Sequence, residues 1–135
     1  MRPTLLLLVT VIASGAILVA PAAAKQGVEA KLDTPVRLGT APGKTIRVAW
    51  RLVDHQGRPF GASGIYLRVA RCGRRPLKVP ATERAVGSYT ARVKVPRGGI
   101  RKLRVGLTGW RVIGERTERA DVFFPFDPPL RRRCS

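Results

Sequence analysis

The chain has 135 residues, of which 26 are Lys or Arg and only 8 are Asp or Glu, so its formal net charge at pH 7 is +18. A single histidine and a single methionine exclude metal sites built from several His or Met ligands. The length predicts one domain with its own core. The scarcity of acids leaves most guanidinium groups to face water or an anion.

The first 24 residues have the pattern of an export signal. Met1-Arg2 is a short positive segment, residues 5–20 are uncharged and dominated by Leu, Val, Ile and Ala, and Ala22-Ala23-Ala24 provides a small-residue cleavage site. We therefore expect an N-terminal signal helix at 1–24, cleavage after Ala24, and a secreted or other extracytoplasmic protein. The alternative is an uncleaved membrane anchor, because the apolar run extended to Ala24 reaches the length that a membrane-spanning helix needs.

Residues 25–127 carry short runs of alternating apolar and polar residues separated by Gly and Pro, a pattern typical of antiparallel β-strands. The alternation is clearest at 45–53, where Trp50 lies on the apolar side, and at 89–95, where Tyr89 does. Strands are predicted, in chain order, at 28–32, 36–38, 45–53, 65–71, 77–79, 89–95, 103–107 and 121–126. Residues 96–99, Pro-Arg-Gly-Gly, are predicted to be a hairpin loop.

Turn and strand motifs give the chain a family resemblance. Asp54-x-x-Gly57-x-Pro59 follows one strand, and Gly87-x-Tyr89-x-Ala91-x-Val93-x-Val95-Pro96-x-Gly98 covers another. Together they resemble bacterial exported immunoglobulin-like sandwiches, including YtkA-like and FixH-like domains, over residues 42–126. The resemblance implies an antiparallel immunoglobulin-like β-sandwich that serves as an accessory extracytoplasmic module, and it assigns no site residue. The chain lacks the His and Met clusters that metal handling in such domains requires, and Trp50 precedes both cysteines, unlike in antibody domains.

Residues suited to catalysis are few and scattered. His55 lies in a predicted turn, and no G-x-S-x-G nucleophile turn accompanies it, so we expect an exposed histidine and not a general base. Glu115 and Glu118 lie in an Arg-rich stretch, where surface ion pairs are expected in place of a glycosidase carboxylate pair. We predict no enzyme activity, no cofactor and no metal.

Basic residues at alternate strand positions are the main functional signal. Arg47 and Arg51 share one side of a strand, Arg92 and Lys94 share the outer side of another, and Arg68 lies on a third. If these strands form one sheet, the five side chains make a cationic plane suited to phosphate, sulfate or carboxylate groups. The alternative is a set of solvated outer faces without a ligand, with an Arg excess that reflects GC-rich coding.

Residues 128–135 are predicted to form a basic C-terminal tail. Arg131-Arg132-Arg133 would add attraction to an anionic lipid or wall polymer. Cys72 and Cys134 are the only cysteines, and in an oxidising compartment we expect them to form one intramolecular disulfide that fixes the last strand. The competing hypothesis is an exposed Cys134 thiolate that joins two chains or a partner.

Two functions are consistent with these patterns. The first is a non-catalytic extracytoplasmic binding or accessory module whose basic surface associates with an anionic envelope polymer or lipid surface. The second is a structural interaction domain that docks on another exported or membrane protein through the Phe-rich strand at 121–126. Phe123, Phe124 and Phe126 cannot all face one side of that strand, and Trp110, which follows a Gly-rich strand end, is a candidate for exposure. Nucleic acid is not expected as a partner, because the positive charge would suit it but the predicted extracytoplasmic location would not.

Overall fold

A computed structural model describes residues 27–134, so the signal segment predicted at 1–24 lies outside the described residues. All regular elements in this part of the chain are strands, and no helix there is long and apolar enough to cross a membrane. The strands, in chain order, are β1 Glu29–Leu32, β2 Thr45–Val53, β3 Ile65–Arg71, β4 Arg74–Pro80, β5 Thr82–Ala85, β6 Ser88–Lys94, β7 Lys102–Leu107, β8 Trp110–Ile113, β9 Arg116–Arg119 and β10 Val122–Pro125.

The strands form two four-stranded sheets and one separate hairpin. The first sheet has the order β1-β2-β6-β5, and the second has the order β10-β7-β3-β4. The hairpin, β8 and β9, lies in the connection between β7 and β10. Every strand pairing is antiparallel, which confirms the prediction of an all-β antiparallel domain.

Both sheets contribute one side to a single hydrophobic core. Val48 and Trp50 project into it from the first sheet, and Leu67 and Val69 project into it from the second. The Trp50 ring stacks on Tyr89 with centroids 6.0 Å apart, and the ring of Phe126 meets it edge-on at 6.1 Å. Burial of each large apolar side chain contributes about 1.5–3 kcal/mol. Because period-two alternation sends the apolar residues inward, the basic residues are left on the outer sides.

Some predicted elements differ from the structure. Residues 36–38 are not a strand, although Val36 and Leu38 still pack against the core from a loop. The strands β5, β8 and β9 were not predicted. The prediction of a hairpin at 96–99 is wrong, because this loop leads from β6 in the first sheet to β7 in the second. Gly98 and Gly99 both have positive φ there, at 83° and 76°, which lets the chain turn sharply before Ile100 enters the core.

The C-terminal segment is fixed along the second sheet. The Leu103 amide donates to the Leu130 carbonyl at 3.0 Å, and residues 102 and 131 form an antiparallel bridge. A disulfide joins Cys72, in the β3–β4 turn, to Cys134, with Cα atoms 5.8 Å apart. This agrees with the predicted intramolecular bond. The segment therefore places its arginines beside β7 and holds them there.

Candidate functional site

The five basic candidates divide between the two sheets. Arg47, Arg51, Arg92 and Lys94 lie on the outer side of the first sheet, where Arg47 is directly opposite Arg92 on the neighbouring strand. Arg68 lies on β3 in the second sheet. The prediction of one plane containing all five is therefore wrong. Alternation determines which side of its strand a residue occupies, but it does not determine which sheet contains the strand.

Carboxylates neutralise one edge of the first sheet. The Arg51 Nε donates to Asp33 Oδ1 at 2.8 Å, and Lys31, directly opposite Arg51, pairs with Glu29 at 3.3 Å. These pairs lie at the β1 side of the sheet. The positive charge that remains on this outer side is therefore concentrated toward β6 and β5.

A recess opens on that side of the first sheet, and Ala91 together with Val79 and Pro80 of β4, in the second sheet, forms the apolar part of its lining. It has a volume of about 370 Å³. The Arg47 Nε donates to the Thr90 hydroxyl oxygen at 3.2 Å. None of the five ion pairs within residues 27–134 involves an arginine of this recess. We call it the arginine recess and define it by its polar lining residues Arg47, Thr82, Arg84, Thr90 and Arg92.

The outer side of the second sheet carries a larger basic surface. Arg68 on β3 lies directly opposite Lys78 on β4 and directly opposite Arg104 on β7, so three cations form a row across three strands. Lys102 and Arg131 form a second row next to it. None of these residues takes part in an ion pair of the described part of the chain. We call these five residues the second-sheet face.

Aromatic rings position the cations of the second-sheet face. The guanidinium carbons of Arg68 and Arg104 lie 4.6 Å and 4.9 Å from the centre of the Phe123 ring, and the Lys78 ammonium lies 4.2 Å from that of Tyr66. Such contacts favour a cation over a ring face. Burial, together with the neighbouring Arg68, lowers the pKa of the Arg104 guanidinium from its usual value. The rings therefore hold like charges in positions that repulsion would otherwise disfavour.

Asp121 lies at the edge of this face but is already engaged. Arg119 donates to its two carboxylate oxygens at 2.8 Å and 2.9 Å, and the Tyr66 hydroxyl also donates to it. The hydrogen bonds from Arg119 hold the pKa of the Asp121 carboxyl well below its usual range. Burial, followed by the hydrogen bond to Asp121, raises the pKa of Tyr66 to about 12. The Asp121 carboxylate therefore neutralises Arg119, and it does not neutralise Arg68 or Arg104.

Exposed apolar residues occur on the β8–β9 hairpin. Trp110 is 66% exposed, Val112 73% and Ile113 51%. Trp110 was a candidate for exposure, and Glu118 forms a surface ion pair of the expected kind, with Arg111 at 3.0 Å. In the Phe-rich final segment, by contrast, Phe124 and Phe126 are buried in the core, and Phe123 lies beneath two arginines. Three of the exposed large apolar side chains of residues 27–134 are thus grouped on the hairpin, and Val86, between β5 and β6, is exposed by itself.

His55 and the neighbouring Asp54 lie in the turn that follows β2. Residues 27–134 contain no group of three or more His, Cys, Asp or Glu side chains placed to hold a metal ion. His55 is exposed, and the neighbouring Asp54 accepts the backbone amides of Gln56 and Arg58 at 2.8 Å and 2.9 Å. Asp54 is therefore committed to its own turn. No protein family, curated protein or solved structure matches the chain.

Several basic residues of these surfaces were not identified from the sequence. Arg104 alternates with Leu103 and Val105, so the same parity rule places it on an outer side. Arg84 gave no such signal, because the strand that carries it is exposed throughout. Its place in the recess depends on the pairing of β5 with β6, which alternation alone does not predict.

Proposed function

We propose that the chain is a non-catalytic, extracytoplasmic binding module that associates with an anionic polymer of the cell envelope through the second-sheet face. The observation that carries the proposal is the row of Lys78, Arg68 and Arg104 with Lys102 and Arg131 beside it, none of which has an ion-pair partner within residues 27–134. Neighbouring strands are about 4.8 Å apart and alternate residues about 7 Å apart, so the cations form a regular grid. A grid on a sheet surface suits a ligand with repeating charges.

The strand order supports an immunoglobulin-like fold. The sheets β1-β2-β6-β5 and β10-β7-β3-β4 correspond to strands A-B-E-D and G-F-C-C′ of that fold. In this assignment β8 and β9 extend the F–G connection. The leader pattern at 1–24 and the disulfide between Cys72 and Cys134 are both consistent with a location outside the cytoplasm.

Binding to heparin as a probe polyanion tests the second-sheet face. The variant combines Arg68→Gln, Lys102→Gln and Arg104→Gln, and each cation contributes about 1 kcal/mol near an anionic surface, so affinity should fall about 100-fold. A matched control removes the same charge from exposed positions elsewhere, with Gln replacing residues 37, 97 and 116. We expect this control to weaken binding less than tenfold.

Salt dependence provides a second readout for the same proteins. Wild-type binding should weaken steeply as the NaCl concentration rises, because exposed charges are screened. The face variant should show a shallower dependence than the control, since fewer ions are displaced. Equal losses in the two triple variants would contradict a localised surface and leave only the diffuse effect of net charge.

A second candidate function is docking on another protein, which the exposed Trp110, Val112 and Ile113 favour. An apolar interface of this kind would be insensitive to salt. Changing Trp110 and Val112 to Ser would abolish it without affecting heparin binding. Pull-down of the envelope fraction at high salt with these variants separates the two functions.

A further inference from the structure

The arginine recess lies outside the second-sheet face and has its own chemistry. Arg47 on β2 is directly opposite Arg92 on β6, and Thr82 on β5 is directly opposite Thr90 on β6, so side chains from three adjacent strands meet there. Arg84 lies two residues after Thr82, where the pairing of β5 with β6 is irregular, and completes the polar part of the lining. Three arginines and two threonines therefore contribute to the lining of a volume of about 370 Å³.

Thr90 is the buried polar group of this recess. The residue is 7% exposed, and among residues 27–134 it is the one polar or charged residue that is buried. Its hydroxyl oxygen accepts the Nε–H of Arg47, and within the described part of the chain that is its one side-chain hydrogen bond. A hydroxyl that accepts one bond still has a proton to donate. That proton is available to an acceptor in the recess.

The arginines of the recess have no ion-pair partner among residues 27–134. Arg51, on the same outer side, is matched by Asp33 at 2.8 Å, whereas Arg47, Arg84 and Arg92 take part in none of the ion pairs of residues 27–134. Like charges directly opposite each other, as at Arg47 and Arg92, destabilise a sheet. An anion between the two guanidinium groups would reverse that effect.

We propose that the arginine recess is a binding site for a single tetrahedral oxyanion, a phosphate or sulfate group. Guanidinium groups donate paired N–H bonds that match such oxygens, and a threonine hydroxyl supplies a further donor. Within residues 27–134 the lining contains no carboxylate that would repel the anion. The volume accepts one such group together with a small attached moiety. The site does not rest on the proposed polymer-binding function, because the two surfaces share no residue.

Calorimetric titration with inorganic phosphate, with sulfate and with glycerol 3-phosphate, at constant ionic strength maintained by NaCl, tests the site on the purified protein. Equal affinity for the two inorganic ions indicates a general oxyanion site, and tighter binding of the ester indicates a phosphorylated ligand. Arg47→Gln combined with Arg92→Gln should lower phosphate affinity about 100-fold, since each lost charge-assisted bond costs about tenfold or more.

Three further variants make the result specific. Thr90→Val should lower phosphate affinity about tenfold, and Thr90→Ser should restore it, because only serine keeps the hydroxyl donor. Arg51→Gln, on the same outer side but paired with Asp33, should change affinity less than twofold, and the triple variant of the second-sheet face should bind phosphate like wild type. Thermal melting without phosphate checks that each variant is folded. Phosphate binding no tighter than the chloride background, or equal losses in Arg51→Gln and the recess double variant, would overturn the site.

Discussion

Removal of the Cys72–Cys134 disulfide should destabilise the domain mainly through its unfolded state. The bond spans a sequence separation of 62 residues. In the chain-entropy model a loop of that size corresponds to about 14 cal/mol/K, or about 4 kcal/mol at 25 °C. The folded state should change little, because the Leu103 amide still donates to Leu130 and the Arg132 amide to Arg101 at 2.8 Å. We therefore expect Cys72→Ser with Cys134→Ser to fold and to lose about 3–4 kcal/mol.

Urea unfolding followed by tryptophan fluorescence measures this loss. Trp50 is completely buried and reports unfolding, while the exposed Trp110 adds a constant background that Trp110→Phe removes. The loss corresponds to a thermal midpoint about 15 °C lower for a domain of this size. Reduction of the wild-type protein should reproduce the effect and serves as the control. A double variant within about 1 kcal/mol of the oxidised wild type would refute the loop-closure explanation.

Three other perturbations test the packing around Tyr66. Gly106→Ala should cost about 1–3 kcal/mol in urea unfolding, because its Cβ would collide with the Tyr66 ring, whereas Gly39→Ala, with nothing within 4 Å, should be neutral. Absorbance titration should show Tyr66 ionising near pH 12 in the folded protein. Because an unfolded tyrosine ionises near pH 10, the stability that Tyr66 contributes is complete below pH 10 and is lost as pH rises toward 12. Ionisation of Tyr66 near pH 10 in the folded protein would contradict this. The lowered pKa of Asp121 has the opposite effect on the pH dependence of stability: the stability that this carboxylate contributes is present above about pH 4 and is lost on acidification. Asp121→Asn should therefore make the free energy of unfolding depend less on pH in the acidic range. An unchanged pH dependence there would exclude this role.

The central strands could be predicted because their burial is one-sided. In β2 and β6 the residues that alternate with Arg47 and Arg92 are buried, so the chemical pattern and the structural pattern coincide. The β8–β9 hairpin and the edge strand β5 are exposed throughout, so no apolar side exists to give a period-two signal. Val36 and Leu38 show the converse case, because spacing that suits core contact does not require a strand partner.

The grouping of the basic residues could be predicted only in part. Parity placed Arg47, Arg68 and Arg92 each on the outer side of its own strand, but it could not predict which strands share a sheet, because that depends on long-range pairing. The structure pairs β2 with β6, which brings Arg47 directly opposite Arg92, and pairs β3, which carries Arg68, with β7 and β4. The ion pair between Arg51 and Asp33 could not be predicted from the sequence either, since the two residues are 18 positions apart and meet only when β1 pairs with β2.

Charge and stability are linked in this domain. Arg47 lies opposite Arg92 on one outer side, and Arg68 lies opposite Arg104 on the other, while the inner sides of both sheets form a shared core. Such pairs repel in the folded domain and separate when it unfolds, so they weaken the domain without ligand. An anion that bridges either pair binds the folded state in preference to the unfolded one and therefore stabilises it. The Phe123 ring beneath Arg68 and the disulfide also stabilise the folded domain, and they do so without a ligand. This explains how a chain with a formal charge of +18 keeps cations without ion-pair partners, among the described residues, on the outer sides of both sheets.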